Sequence, residues 1–151
     1  MSIPPIDYVR PDWDDYYLSI ARVVATRADC RRRQHGAVIV SADHRPVSFG
    51  YNGAPSGHAG CLEGACPRGR LSQDELQSLA GGYDDPASVG FCISVHAEAN
   101  AILLAGRNAC KGASIYITGE PCHGCRKLIH AAGISRVVWP GSDGAAHVMA
   151  V

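Results

Sequence analysis

"ASIYITGEPCHGCRKLIHAAGISRVVWP", Ala113 to Pro140, is the stretch on which the fold turns. It opens on an apolar run, "ASIYIT" (Ala113–Thr118), and closes on another, "SRVVWP" (Ser135–Pro140). Each has the length and β-branched or aromatic content of a strand. Between them, Cys122, Cys125, Ile129 and Ala132 fall at the three- and four-residue spacing of one helix face. The predicted helix runs from Pro121 to Ala132, with proline at the first helical position and Gly133 placed to end it. Strand, helix and strand in this order form a crossover unit whose two strands lie parallel in one sheet.

Working outward, "CISVHAEANAILLAG" (Cys92–Gly106) reads as a helix from about Ala97 made of small and apolar residues. His96 and Glu98 stand at its start, and lone polar groups in such a run are costly to bury without partners. "GAVIV" (Gly36–Val40) and "PVSFGYNG" (Pro46–Gly53) read as a two-stranded hairpin. Asp12 can cap a helix running to about Ala28, with Asp14 and Asp15 in its positive first turn and Tyr17, Ile20, Ala21, Val24 and Ala28 on one stripe. "GSDGAAHVMAV" at the end suits a last edge strand. The order, a helix and then β-β-α-β-α-β, predicts a single α/β layer fold whose later strands run parallel. From about residue 54 to 92 the chain is rich in Gly, Pro, Ser and Cys, with one weak helical patch near "LSQDELQSLAGG". A loop of that length in a compact domain calls for a function or for something that holds it. With neither repeat nor linker, residues 1–151 read as one domain carrying an insertion at about 54–92.

The bulk properties narrow the function. The 151 residues are 46% hydrophobic and 19% charged, with formal net charge zero. These are values of a globular domain, and nothing in the charge balance draws the chain to a polyanion such as nucleic acid or an anionic membrane. A small anionic substrate would need only a local basic pocket. "MSIPPIDYVRPDWDD" is acidic and lacks the apolar centre of a signal peptide, and no apolar run is long enough to span a membrane. The expected location is the cytoplasm. A reducing compartment directs the seven cysteines toward metal or catalysis rather than disulfides.

A helix N-terminus favours thiolate, the metal-binding form, at Cys122 and Cys125. Two crossovers side by side would bring the starts of both helices to one sheet edge, where His96, Cys122 and Cys125 can hold zinc. Three protein ligands with a fourth position open is the pattern of a catalytic zinc. Glu98 can then reach past the helix end and move protons of a metal-activated water. Taken alone, the Cys-x-x-Cys pair is more often a redox pair or half of a structural zinc site.

H-x-E followed by P-C-x-x-C is a known signature of zinc nucleobase deaminases, and the chain resembles the cytidine deaminase superfamily. It is most similar to the deoxycytidylate (dCMP) deaminase branch, from about Trp13 to Trp139. The motifs are "HAE" (His96–Glu98), "PCHGC" (Pro121–Cys125), "GAVIV", "GYNGAPSG" (Gly50–Gly57), "HAEANAI" and "AAGISRVVW" (Ala131–Trp139), together with the cysteine-rich insertion. The resemblance implies a three-layer α/β/α sandwich around a five-stranded mixed sheet. It implies hydrolytic, zinc-dependent deamination of dCMP to dUMP and ammonia. It matches His96, Cys122 and Cys125 to the zinc ligands and Glu98 to the proton shuttle. Ala97 is matched to the backbone N–H that holds the base O2, and Asn52 to a nucleotide contact. Asn52 has an equally good local reading, since Asn-Gly after a strand is a common hairpin turn. A homo-oligomer is also implied, with a hexamer as one form.

Two residues depart from the branch. Glu120 precedes the proline, as in many tRNA adenosine deaminases, and His35 stands where an apolar residue is usual before "GAVIV". The alternatives are therefore a deaminase of another nucleoside, base or tRNA adenosine, and a zinc-stabilised binding module without catalysis. The insertion, the neutral charge and the lack of a basic tail after "VVW" argue against tRNA. Glu98 argues against the binding module, which would need no carboxylate beside its metal.

Cys30, Cys61, Cys66 and Cys92 flank or lie in the insertion, and four thiolates would make a closed structural zinc site. Members of the branch often carry a second zinc here. The rival readings are buried free thiols and a site with His58 in place of one cysteine; Cys110 reads as an apolar filler. Arg27, Arg31, Arg32 and Arg33 form the one dense basic cluster, either a solvated helix end or a phosphate pocket that includes Arg27. Arg107 has the same solvated reading.

Overall fold

The computed structural model describes residues 7–151 apart from residue 80. The expectation for the N-terminal stretch falls partly on residues 1–6, outside the described residues. Five strands form one sheet: β1 (Gly36–Val40), β2 (Pro46–Tyr51), β3 (Ser114–Ile117), β4 (Arg136–Pro140) and β5 (Ala146–Ala150), in the spatial order β2-β1-β3-β4-β5. β1 is antiparallel to both β2 and β3, β3 and β4 are parallel, and β5 returns antiparallel to β4. The expectation of parallel later strands therefore holds for β3 and β4, and β5, the expected last edge strand, runs antiparallel. The reason is the connection. Gly141 donates to Ala145 O at 2.7 Å across a tight turn with Gly144 at φ 81°, far too short for a crossover.

The alternation along each strand feeds two apolar faces. Ala37, Ile39, Ile115, Ile117 and Val137 pack with Ala97, Ala101, Ile129 and Ala132, from α4 (Ala97–Ala105) and α6 (His123–Ala132). Val38, Val40, Tyr116 and Val138 pack with Tyr17, Leu18 and Ala21 of α1 (Trp13–Ala25). Burial on both faces is why these strands read as unbroken apolar runs. The result is an α/β/α sandwich. Two glycines set the layer spacing. A Cβ on Gly36 would collide with the backbone of Ala21 and Ala25, and one on Gly50 with that of Ala97 and Ala101.

Asp12 caps α1 through Asp15 N–H at 2.9 Å, as expected, but the helix ends at Ala25 rather than Ala28, where the Thr26 hydroxyl donates to Val23 O at 2.6 Å. Arg136 grips both oxygens of Asp14 at 2.8 and 2.6 Å, and the Tyr116 hydroxyl donates to the same carboxylate at 3.0 Å, tying α1 to β3 and β4. These contacts, Arg136 foremost, hold the Asp14 carboxyl below its usual range. Gly106, at φ 73°, ends α4 and starts a short α5 (Arg107–Cys110), which the sequence pattern did not mark. Cys110 is a buried filler, as expected.

The insertion holds two short helices, α2 (Pro67–Arg70) and α3 (Gln73–Gln77), the latter opened by a Ser72–Glu75 capping box. Among the described residues no helix is long and apolar enough to cross a membrane.

Candidate active site

α4 lies between β2 and β3 in sequence and α6 between β3 and β4, so both begin at the same sheet edge. The start of α4 is fixed to β2 at three points. Asn100 Nδ2 donates to Tyr51 O at 2.8 Å, the buried Ser48 hydroxyl donates to Ala101 O at 2.7 Å, and Gly53 exchanges backbone hydrogen bonds with Val95 at 3.2 and 2.8 Å. His96, next in the chain, is the extended residue before the first turn. α6 begins two residues later than expected. Cys122 is its extended cap and Pro121 lies outside, because the Cys122 sulfur accepts the Cys125 N–H at 3.4 Å.

This brings the three predicted donors together. His96 Nδ1 lies 3.5 Å from Cys122 Sγ and 3.3 Å from Cys125 Sγ, and all three ligand atoms fall within 4.8 Å of one another. One imidazole nitrogen and two sulfurs form a donor set suited to zinc with a position left for a non-protein ligand. Burial first, and then the Glu98 carboxylate beside it, push the Cys125 thiol up. A dication supplies the opposite charge such a thiolate needs. Glu98 itself is only 6% exposed, in the first turn of α4. Ala97 heads the same helix, and N–H groups of a first turn have no acceptor within their helix.

Residues 11–140 match the model of the cytidine and deoxycytidylate deaminase zinc-binding region. The chain belongs to this deaminase family. It is 50% identical over 131 residues to the deoxycytidylate deaminase of Mycobacterium phage D29, covering 87% of this chain and 96% of that one. It is 36% identical to the deoxycytidylate deaminase of Saccharomyces cerevisiae, covering 89% of this chain but 39% of the longer yeast protein. The dCMP deaminase of cyanophage S-TIM5 shares the fold, with TM-score 0.62 and 24% identity over 90% of this chain and 89% of that one.

In this deaminase Asn52 is buried and faces the chain rather than open space. Its Oδ1 accepts His35 N–H at 2.7 Å and its Nδ2 donates to Arg33 O at 2.9 Å, which leaves one amide hydrogen uncommitted. The two departures from the branch pattern have local explanations. Glu120 pairs with Arg126 at 2.5 Å, and Arg126 also donates to Pro121 O at 3.1 Å, so the pair braces the turn that presents Cys122. The half-buried His35 ring sits 3.3 Å from the Thr118 hydroxyl. Burial, opposed by Glu98, pushes its pKa down.

The basic cluster divides. Arg32 donates to the carbonyls of Arg68 and Leu71, and Arg31 to Leu62 O at 3.4 Å, so these two pin the insertion instead of forming a free phosphate pocket. Arg27 and Arg33 are exposed.

The insertion cysteines meet pairwise. Cys61 neighbours Cys30 and Cys66, and Cys66 neighbours Cys92. Their donors do not form a set within 4.8 Å, as the His96 group does. Backbone N–H groups point at the sulfurs nonetheless: Arg31 at Cys61 (3.5 Å), Arg32 at Cys30 (3.4 Å), Ile93 and Gly69 at Cys66, and Ser94 at Cys92. At Cys66 burial opposes ionisation, yet these N–H groups and the adjoining thiols bring the thiol below its usual value. His58 is exposed, on a turn closed by its N–H to Pro55 O.

One contact had no signal in the sequence pattern. Tyr83, in the insertion, places its hydroxyl 2.6 Å from His96 Nε2. It is thirteen residues from His96 in an aperiodic segment.

Proposed function

We propose that the protein deaminates dCMP to dUMP, with ammonia as the other product. The observation that carries this is the convergence of His96, Cys122 and Cys125 at two helix starts with the buried Glu98 beside them. The extended identity to a protein named deoxycytidylate deaminase supports the nucleotide. Zinc held by the three donors supplies a Lewis acid and an activated water. Hydrolysis at C4 takes up one water, and both of its protons must travel, one to N3 and one to the departing amino group. Glu98 is the carboxylate placed to take each proton and hand it on. The Ala97 N–H is offered to the base O2, and the free Asn52 amide hydrogen to the sugar. Arg27, exposed, is offered to the 5′-phosphate. A panel of dCMP, dCTP, deoxycytidine, cytidine, adenosine and guanine, read by ammonia release, tests the reading. Ammonia from dCMP alone or foremost supports it; a faster reaction with adenosine or guanine overturns it.

The reading includes a second zinc at Cys30, Cys61, Cys66 and Cys92. The support is the set of backbone N–H groups aimed at these sulfurs, an arrangement that stabilises thiolate charge. It also includes one domain, in the cytoplasm, where seven free thiols are stable. Self-association is supported by the second half of α4, Ala101–Ala105, which is wholly apolar yet leaves Leu103 and Leu104 76% and 69% exposed. Sedimentation of the purified protein tests that part.

A further inference from the structure

We infer that Tyr83 is the positioning residue of the metal ligand His96, and that through it the insertion holds the catalytic centre in its ligating state. The inference rests on the metal reading of the three donors. His96 turns Nδ1 toward both thiols, so Nδ1 is the ligating nitrogen. A neutral imidazole that ligates through Nδ1 must carry its proton on Nε2. That Nε2–H has one acceptor before it, the Tyr83 oxygen at 2.6 Å. Metal-bound histidines depend on such a partner to fix tautomer and ring orientation.

Tyr83 is itself held from several sides. Its ring meets the His96 ring edge-on, with centroids 5.8 Å apart at 75°. The Arg68 guanidinium lies 5.4 Å from its centroid, and its carbonyl accepts Cys92 N–H at 3.0 Å. The phenol lies beside the Cys92 thiol, which can take the phenolic proton as a hydrogen bond. His96 Nε2–H thus faces the Tyr83 oxygen, and the Tyr83 phenol adjoins the Cys92 thiol. Cys92 in turn adjoins Cys66. A segment that looks like a surface excursion therefore ends against the back of a metal ligand.

Y83F keeps the ring and removes the acceptor. It should weaken metal binding at the His96 centre by about 10- to 100-fold. The measurement is chelator competition on the cobalt(II)-substituted protein, followed through the absorption of the mixed nitrogen–sulfur site, with the far-ultraviolet circular dichroism of the metal-loaded protein unchanged. Metal affinity of Y83F equal to wild type overturns the inference. So does a pair in which only Y83L, which removes the ring, loses affinity, because that assigns Tyr83 to packing. A second measurement needs no variant. Long-range ¹⁵N correlation spectra of zinc-loaded wild type should show His96 protonated at Nε2, and protonation at Nδ1 overturns the assignment. Zinc stoichiometry and the substrate panel test the underlying reading separately, so failure of one is distinguishable from failure of the other.

Discussion

Two sulfur-rich regions stand side by side in this deaminase and are built by opposite means. The His96–Cys122–Cys125 centre is assembled by the regular part of the fold. Two helices leave one sheet edge, and their extended first residues point at each other within 4.8 Å. The Cys30–Cys61–Cys66–Cys92 group is assembled by irregular chain, with neighbours meeting in pairs and backbone N–H groups aimed at the sulfurs. Strand pairing and helix packing place donors before any ion arrives; loops need the ion to complete the placement. The first region is therefore the seat of chemistry, and on the proposed reading the second is the seat of local stability.

The sharpest way to break this division is Glu98→Ala. General acid–base catalysis contributes roughly 10²–10⁴-fold, and the proposed mechanism routes two proton transfers through this one carboxylate, so kcat should fall by about 10⁴-fold or more. Zinc content should not change. Activity within a few-fold of wild type would remove Glu98 from the mechanism. Cys122→Ala, by contrast, should empty the catalytic site of metal.

Cys61→Ser probes the other half. Elemental analysis should find two zinc ions per wild-type chain and one in the variant. Stability should fall by about 3 kcal/mol, close to 10 °C in melting temperature for a chain of this size. Turnover at a permissive temperature should stay within a few-fold. One zinc in carefully prepared wild type would sink the four-cysteine site and leave the centre intact.

Substrate preference asks whether the border between the two regions reads the phosphate. Gly57, with open space at its Cβ position, permits close backbone approach, and Arg27 and Arg33 remain exposed. Charge-assisted hydrogen bonds are worth ~1.5–3 kcal/mol each, so two would give about a hundredfold preference in kcat/KM for dCMP over deoxycytidine. Arg27→Ala should cost about tenfold on dCMP and nothing on deoxycytidine. Equal values for the two substrates in wild type would point to a free nucleoside.

The smallest effect lies outside both regions. Asp14→Asn should cost about 1–2 kcal/mol at pH 7, because the Arg136 and Tyr116 contacts are only partly buried. The Asp14 pKa is lowered by folding, so the contribution is present above its unfolded value, near 3.8, and is lost as pH falls through the lower folded value. Urea melts of wild type and variant should differ at pH 7 and converge once the pH falls below the folded Asp14 value. A difference that persists in acid would show that packing, not charge, is lost. Neither the His96 centre nor the proposed four-cysteine site should respond.

The sequence pattern conveyed the layer order and the three donors that cluster at the helix starts, because these rest on periodicity and composition. "GAVIV" and "SIYI" could be nothing but strands buried on both faces. The His and Cys donors sit at helix starts, which apolar periodicity locates. What stayed hidden depended on partners distant in sequence. A sulfur cap at Cys122 displaced the proline from its usual helical position, since thiols are uncommon caps. Arg31 and Arg32 looked free because the carbonyls they meet lie 31 to 39 residues away. Tyr83 lacked any pattern, being held by His96, Arg68 and Cys92 rather than by its own neighbours.

Gly50 carries a lesson for anyone mapping this enzyme by mutagenesis. Its missing side chain is the gap into which the backbone of Ala97 and Ala101 fits, with Asn100 Cβ 2.9 Å from where a methyl would be. An alanine there cannot be accommodated by turning a flexible side chain, so the helix that begins with the metal ligand must ride outward. A scan scored by activity would return Gly50 beside Glu98 as indispensable, although its gap faces the backbone of α4. The two would separate only on a gauge of distance: the glycine works as a shim, and its loss would appear as a shifted helix before it appeared as a slower reaction.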